Sequence, residues 1–208
     1  MRLLHIDASP RDERSRSRQV ADHYIAALGA QDVTLEVEKL NLWAADLPEL
    51  GGGMVESRYA LIHGQPVDPA HVEAWAEIQR HVDHLLGFDQ ILISTPMWNF
   101  GVPYRLKHYV DVVTQPRMLF DNDATGNVHG RAAGRRAVIV AASAMPMQDE
   151  PFASTMDFQL SFLECWLGFI GVTDIHAVRI APTFGAPEAV DKIMDDAKRQ
   201  IAAIARAG

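Results

Sequence analysis

Short apolar runs alternate with longer segments of helical period along the whole chain, and this alternation is the strongest constraint on its fold. The runs at 3–6, 90–94, 137–141 and 175–180 are apolar at most positions, as strands are when both faces are covered. The run at 33–37 is shorter and alternates, with β-branched Val33, Thr34 and Val37. Between them, 17–28 places Val20, Tyr24, Ile25 and Leu28 on one helical stripe and stops at Gly29. Residues 69–86 do the same through Val72, Trp75, Ile78, Val82, Leu85 and Leu86, and stop at Gly87. Further helices are predicted at 102–114, 152–167 and 187–206.

Strand–helix alternation of this kind implies a parallel sheet with helices on both faces. Right-handed crossovers leave few topologies. Five strands favour a doubly wound α/β fold with the flavodoxin-like order 2-1-3-4-5. Ligands of such sheets lie beyond the carboxyl ends of the strands, at the switch between the first and third. No composition break or repeat interrupts residues 1–208, so one domain is expected. Two stretches have no clear period. Residues 41–67 hold Pro48, Gly51, Gly52, Gly53, Gly64 and Pro66 and read as a surface excursion with a short helix near 54–62. Residues 115–133 read as a second, polar excursion.

Composition narrows the function classes. With 48% apolar and 22% charged residues in 208, the chain is globular. A net charge of −8 opposes binding to nucleic acid or to an anionic membrane. Any phosphate ligand must therefore be held by local geometry. The single cysteine, Cys165, lies in an apolar run and reads as a buried core residue. Neither a secretory signal nor a spanning segment is visible, so a cytoplasmic location is expected. The nine histidines are scattered without H-E-x-x-H spacing, no metal is expected, and no G-x-S-x-G turn marks a hydrolase.

Two turns at the predicted ligand edge carry the chemistry. The first, Asp7 to Arg18, lacks phosphate-binding glycines but offers Ser9, Ser15 and Ser17. Ser15 or Ser17 at a helix N-cap would join hydroxyls to free amides and the positive dipole end, and Arg16 would add a charge-assisted bond to an anion. The same residues also make an ordinary serine cap among solvated arginines. The second turn runs from Thr95 to Gly101. Met97, Trp98 and Phe100 offer an apolar platform, while Pro96 and the Asn99-Phe100-Gly101 bend stiffen it. A planar heteroaromatic ligand suits it, and so does simple aromatic packing.

These residues resemble a known family. Pro96-Met97-Trp98-Asn99-Phe100, followed by Leu106-Lys107-His108-Tyr109-Val110-Asp111, is similar to the P-M-[YW]-N-F … L-K-x-[YF]-x-D signature of FMN-dependent NADH-azoreductases, which are also quinone reductases. Ser9 with Ser15-Arg16-Ser17 matches that family's spacing around the flavin phosphate, and Leu167 to Asp174 resembles its late F-L-G-F-I-G-[IV]-T-D segment. The resemblance implies a homodimer of flavodoxin-like domains, each holding one FMN, that passes hydride from NADH or NADPH to a quinone or azo compound by a ping-pong mechanism. It assigns the phosphate to Ser9, Ser15, Arg16 and Ser17, and the ribityl chain and ring to Pro96, Met97, Trp98, Asn99 and Phe100, with Ser143 beside them. It assigns the substrate pocket to Phe120, Asn122 and Phe162. The chemistry is the flavin's, and no side chain is expected to act as catalytic acid or base.

Two departures stand out. Where the family has S-R-G-G, this chain has Ala142-Ser143-Ala144-Met145, whose side chains limit backbone approach to a ligand. Asn122 stands where the family often has tyrosine. A flavodoxin-type electron carrier and a domain that has lost its flavin are the competing readings, the second kept open by the missing glycines.

Overall fold

The computed structural model describes residues 1–147 and 155–207. Five strands form one parallel sheet: β1 (Arg2–Asp7), β2 (Glu36–Asn41), β3 (Gln90–Pro96), β6 (Arg136–Ala142) and β7 (Asp174–Ile180). A separate antiparallel hairpin, β4 (Phe120–Asn122) and β5 (Val128–Gly130), falls between β3 and β6. The sheet order is β2-β1-β3-β6-β7. In chain numbering this departs from the expected 2-1-3-4-5, because residues 115–133 supply two strands where a polar excursion was expected. Asp123 explains them: its Oδ1 accepts from the Thr125 amide (2.8 Å), the Thr125 hydroxyl (2.7 Å) and the Asn127 amide (2.9 Å), closing the hairpin turn.

The helices are α1 (Arg16–Gly29), α2 (Gly53–Ile62), α3 (Val72–Leu86), α4 (Tyr104–Val113), α5 (Phe158–Phe169) and α6 (Pro187–Arg206). The expected start of the fifth helix at Phe152 lies outside the described residues. The two sheet faces sort residues that the sequence shows only as unbroken apolar runs. Leu4, Ile6, Ile91, Ile93 and Ile139 pack toward α3, α4 and α5, whereas Leu3, Leu92, Val138 and Val140 pack toward α1 and α6.

Three expectations are corrected. The second strand lies at Glu36–Asn41 rather than 33–37, because the Asp32 carboxylate takes up the Thr34 amide (2.8 Å) and hydroxyl (2.6 Å) in a turn. Strand β2 then pairs Arg2 with Glu36 through Asp7 with Asn41. As an edge strand it is largely exposed, which hides it from an apolar pattern. The 41–67 stretch contains the expected α2, but Leu42, Leu47 and Met54 are buried, so it packs into the core instead of running over the surface. Cys165 is exposed, because α5 turns that side away from the sheet.

Candidate functional site

Parallel pairing brings the two turns together. Ile6 lies opposite Ile93 and Asp7 opposite Ser94, so β1 and β3 end side by side. After β1 the chain passes Ser9 and a short 3-10 turn (Asp12–Arg14), then enters α1. Ser15 is the N-cap, and its Oγ accepts from the Arg18 amide (3.2 Å). The Ser15 and Ser17 hydroxyls are 3.2 Å apart. Ser9, Ser15 and Ser17 are all buried. The Arg16 Nη1 is buried without a hydrogen-bond partner among the described residues. An unpaired buried guanidinium nitrogen is costly, and at a helix N-terminus an anion is the natural partner.

The second turn is a tight reversal. Trp98 and Gly101 exchange both backbone hydrogen bonds, each 3.0 Å long, with Asn99 at φ 46° and Phe100 at φ 71° between them. Positive φ at both central positions is the type I′ geometry. Asparagine accepts it; phenylalanine does so only under strain. The amides of Asn99 and Phe100 donate to no described residue. The amide of Met97 donates to the Ala142 carbonyl (2.7 Å), which ties the turn to the end of β6.

Two adjoining clefts result. One of about 200 Å³ is lined by Ser9, Ser15, Arg16, Ser17, Pro96, Met97 and Trp98, together with Arg11, Ala142, Ala144 and Thr183. The other, about 240 Å³, is lined by Met97, Asn99, Phe100, Ser143, Ala144 and Met145. They share Met97 and Ala144, so all ten residues expected to hold a cofactor line one continuous edge of the sheet. In the departing loop the Met145 amide donates to Ser143 Oγ (3.2 Å) and the Thr183 amide to the Ser143 carbonyl (2.8 Å). Ser143 thus organises the loop from within.

The three residues expected in the substrate pocket are not brought to these clefts. Phe162 lines an apolar groove of about 430 Å³ with Gly101, Val102, Lys107, Phe158 and Cys165. Phe120 is buried, its ring edge-on to Phe169 at 4.9 Å. Asn122 lines a separate cavity on the hairpin.

Several contributing residues escaped the sequence reading. Asp7, fully buried at the end of β1, is ion-paired to Arg18 and to Lys39 Nζ (3.3 Å). Its Oδ1 accepts from the Ser9 amide (3.1 Å) and from the Ser94 hydroxyl (3.3 Å), which lies 2.9 Å from His5 Nε2. This network ties the serine turn to both central strands. Burial pushes the His5 imidazole down to about 4; Asp7 opposes the shift, and Lys39 and Arg18 add to it. Asp7 was visible only as the residue ending a strand, and Arg18 read as a solvated arginine. Trp43 packs on Trp98 (5.5 Å) and Tyr104 (5.3 Å), and its indole N–H donates to the Ala8 carbonyl (2.9 Å). It comes from the aperiodic 41–67 stretch, where no pattern marks it.

This architecture and site define a flavodoxin-like protein. The family model described as a flavodoxin-like fold matches residues 1–205, and the chain belongs to that family. An FMN-dependent NADH:quinone oxidoreductase of Nitratidesulfovibrio vulgaris is 40% identical over 187 residues, covering 89% of each chain. A protein of the same name from Desulfotalea psychrophila is 34% identical over 205 residues, 99% of this chain and 96% of its own. Among solved structures, an azoreductase from Bacillus anthracis superposes with a TM-score of 0.89 at 20% identity over the whole of both chains. An FMN-dependent NADH-azoreductase of that species, in complex with FMN, gives 0.87 at 20% identity, covering 100% of this chain and 99% of its own. The two structures share this chain's fold.

Proposed function

We propose that this chain is an FMN-dependent oxidoreductase that draws electrons from NADH and delivers them to quinones or azo compounds. The observation that carries the reading is the first cleft. Three buried serines and a buried, unpartnered arginine nitrogen meet there, at the N-terminus of α1, beside the apolar turn after β3. Relatives at 34–40% identity over most of both chains, all named FMN-dependent NADH:quinone oxidoreductases, support it.

The residues fit the group. Ser9, Ser15 and Ser17 would donate to a phosphate, with Arg16 supplying the charge that the acidic chain as a whole does not. Pro96, Met97, Trp98, Asn99 and Phe100 would carry the ribityl chain and ring, and Ser143 would support the loop at the ring's far end. When bound, FMN supplies the two-electron chemistry between nicotinamide and acceptor. The chain's own part is to orient the stack and to present amide donors. The free amides of Asn99 and Phe100 suit that part, because fixed N–H dipoles stabilise negative charge better than mobile water does. The Met145 amide is engaged by Ser143, so the Ala144-Met145 departure shifts this duty toward the 98–101 turn.

The finer points belong to the same proposal. NADPH is an alternative donor, and one shared pocket implies ping-pong kinetics. Each copy is one flavodoxin-like domain, acting in the cytoplasm without nucleic-acid or membrane partners. Phe120, Asn122 and Phe162 stand apart from the clefts of their own chain, which supports a homodimer whose second copy completes the substrate wall. The test is a visible spectrum of the purified protein with added FMN, then anaerobic NADH oxidation with a quinone. Yellow protein and turnover with parallel initial-rate lines are expected. Protein that takes up no FMN would overturn the reading; bound flavin without turnover would make the chain an electron carrier.

A further inference from the structure

The cavity on the hairpin has a different character from the clefts at the sheet edge. It measures about 300 Å³ and is lined by Ile62, Pro116, Arg117, Asp121, Asn122 and Arg131. Arg131 grips Asp121 with two hydrogen bonds, Nε to Oδ2 at 2.6 Å and Nη2 to Oδ1 at 2.9 Å. Those bonds hold the Asp121 carboxyl below the usual range, with Arg117 and His129 adding to the effect. Asp121 is therefore a carboxylate at neutral pH, and Arg131 is matched by it. Arg117 is exposed, and although its charge acts on Asp121, its guanidinium makes no hydrogen bond or ion pair with any described residue.

Its backbone makes that freedom informative. Arg117 has φ 64°, which costs a non-glycine residue about 1 kcal/mol or more, and its amide is held by the Phe120 carbonyl at 2.7 Å. The strained backbone thus fixes the root of a side chain whose head rests by Gly64 without a hydrogen bond to any described residue. The segment after α2 accommodates the head. A Cβ on Gly64, itself at φ 68°, would sit 2.9 Å from Arg117 Nη2. Capping of α2 does not explain the placement, because the Tyr59, Ala60 and Leu61 carbonyls already accept from the amides of His63, Gln65 and Gly64. A cation with no hydrogen-bonded counter-ion among the described residues therefore lines a concave site, beside the Asn122 amide, on a protein of net charge −8.

The geometry points to an anion subsite: Arg117, with Asn122 beside it, binds a carboxylate or phosphate group carried by a substrate, outside the cleft that would hold the flavin. Guanidinium forks match both groups. The volume suits a group on a larger molecule rather than a bare ion. The identity of the substrate rests on the proposed oxidoreductase function; the anion site itself does not. Two sources share this chemistry, the phosphates of the nicotinamide nucleotide and a carboxylate on the acceptor.

The test uses the full-length, FMN-loaded protein and its Arg117→Gln and Arg117→Gly variants; the glycine relieves the strained φ, so loss of folding does not cloud the result. KM is measured for NADH, for NADPH, for a carboxylated azo dye and for an uncharged quinone. The expected result is an approximately tenfold rise in KM for the nucleotides or for the carboxylated dye, whichever the site serves, with kcat and the quinone KM unchanged. Calorimetric titration with inorganic pyrophosphate should show binding that both variants lose. Unchanged KM values in folded variants, together with pyrophosphate titrations that do not differ from wild type, would overturn the subsite. If the wild-type protein shows no turnover, the oxidoreductase reading falls, and the titration alone decides the anion site.

Discussion

Replacing Phe100 with glycine separates two roles for the aromatic residues of the 96–101 turn. At φ 71° a phenylalanine carries a left-handed penalty of about 1–2 kcal/mol, which glycine removes. Glycine gives back about 0.5–1 kcal/mol through its larger freedom in the unfolded chain. Phe100 is 38% exposed and pairs with no other ring among the described residues, so the packing lost with its covered part, on the order of 1 kcal/mol, offsets the relief. Trp98 differs, since it sits against both Trp43 and Tyr104. The flavin-free Phe100→Gly protein should therefore lie within about 1 kcal/mol of wild type in urea unfolding. Its affinity for FMN should fall about fivefold, the worth of one aromatic contact near 1 kcal/mol, read by quenching of flavin fluorescence. A flavin-free protein destabilised by more than about 1 kcal/mol, with flavin affinity intact, would refute this: Phe100 would then be a packing residue and the strain incidental.

The remaining predictions concern the frame beneath the site. The folded pKa of His5, about 4, lies below its unfolded value near 6.5, so the folded state resists a proton that the unfolded state accepts. Stability is then complete above about pH 6.5 and declines by on the order of 3 kcal/mol as pH falls toward 4; His5→Gln should flatten that slope in urea melts, and equal slopes would count against it. Asp7→Asn leaves Arg18 and Lys39 without their buried counter-ion and should destabilise the protein by roughly 3 kcal/mol, while an unchanged melting temperature would show the network to be dispensable. At Gly130 an added Cβ would lie 1.9 Å from the Ile170 carbonyl carbon, so Gly130→Ala should cost about 3 kcal/mol in urea unfolding by forcing the hairpin off the end of α5. A loss below about 0.5 kcal/mol would show that the hairpin shifts freely.

Elements whose signal is local could be read from the residues alone. Apolar runs marked β1, β3 and β6, because a strand covered on both faces is mostly apolar, and edge strand β7, which keeps Ile175, Ala177, Val178 and Ile180; helical stripes marked α1, α3 and α6, because a helix packs by one face. The serine turn and the 96–100 turn were legible as turns for a related reason: each is a contiguous run at a strand end. Features that depend on neighbours distant in the chain emerge only on folding. Edge strand β2 takes its register from β1, and Val33 carried no information about it. Asp7 and Arg18 become a buried ion pair only when the start of α1 folds back over the end of β1. Trp43 reaches Trp98 only because Leu42 and Leu47 are drawn into the core. Arg117 gains its setting from the end of α2, more than fifty residues earlier, and no local pattern places its guanidinium by Gly64.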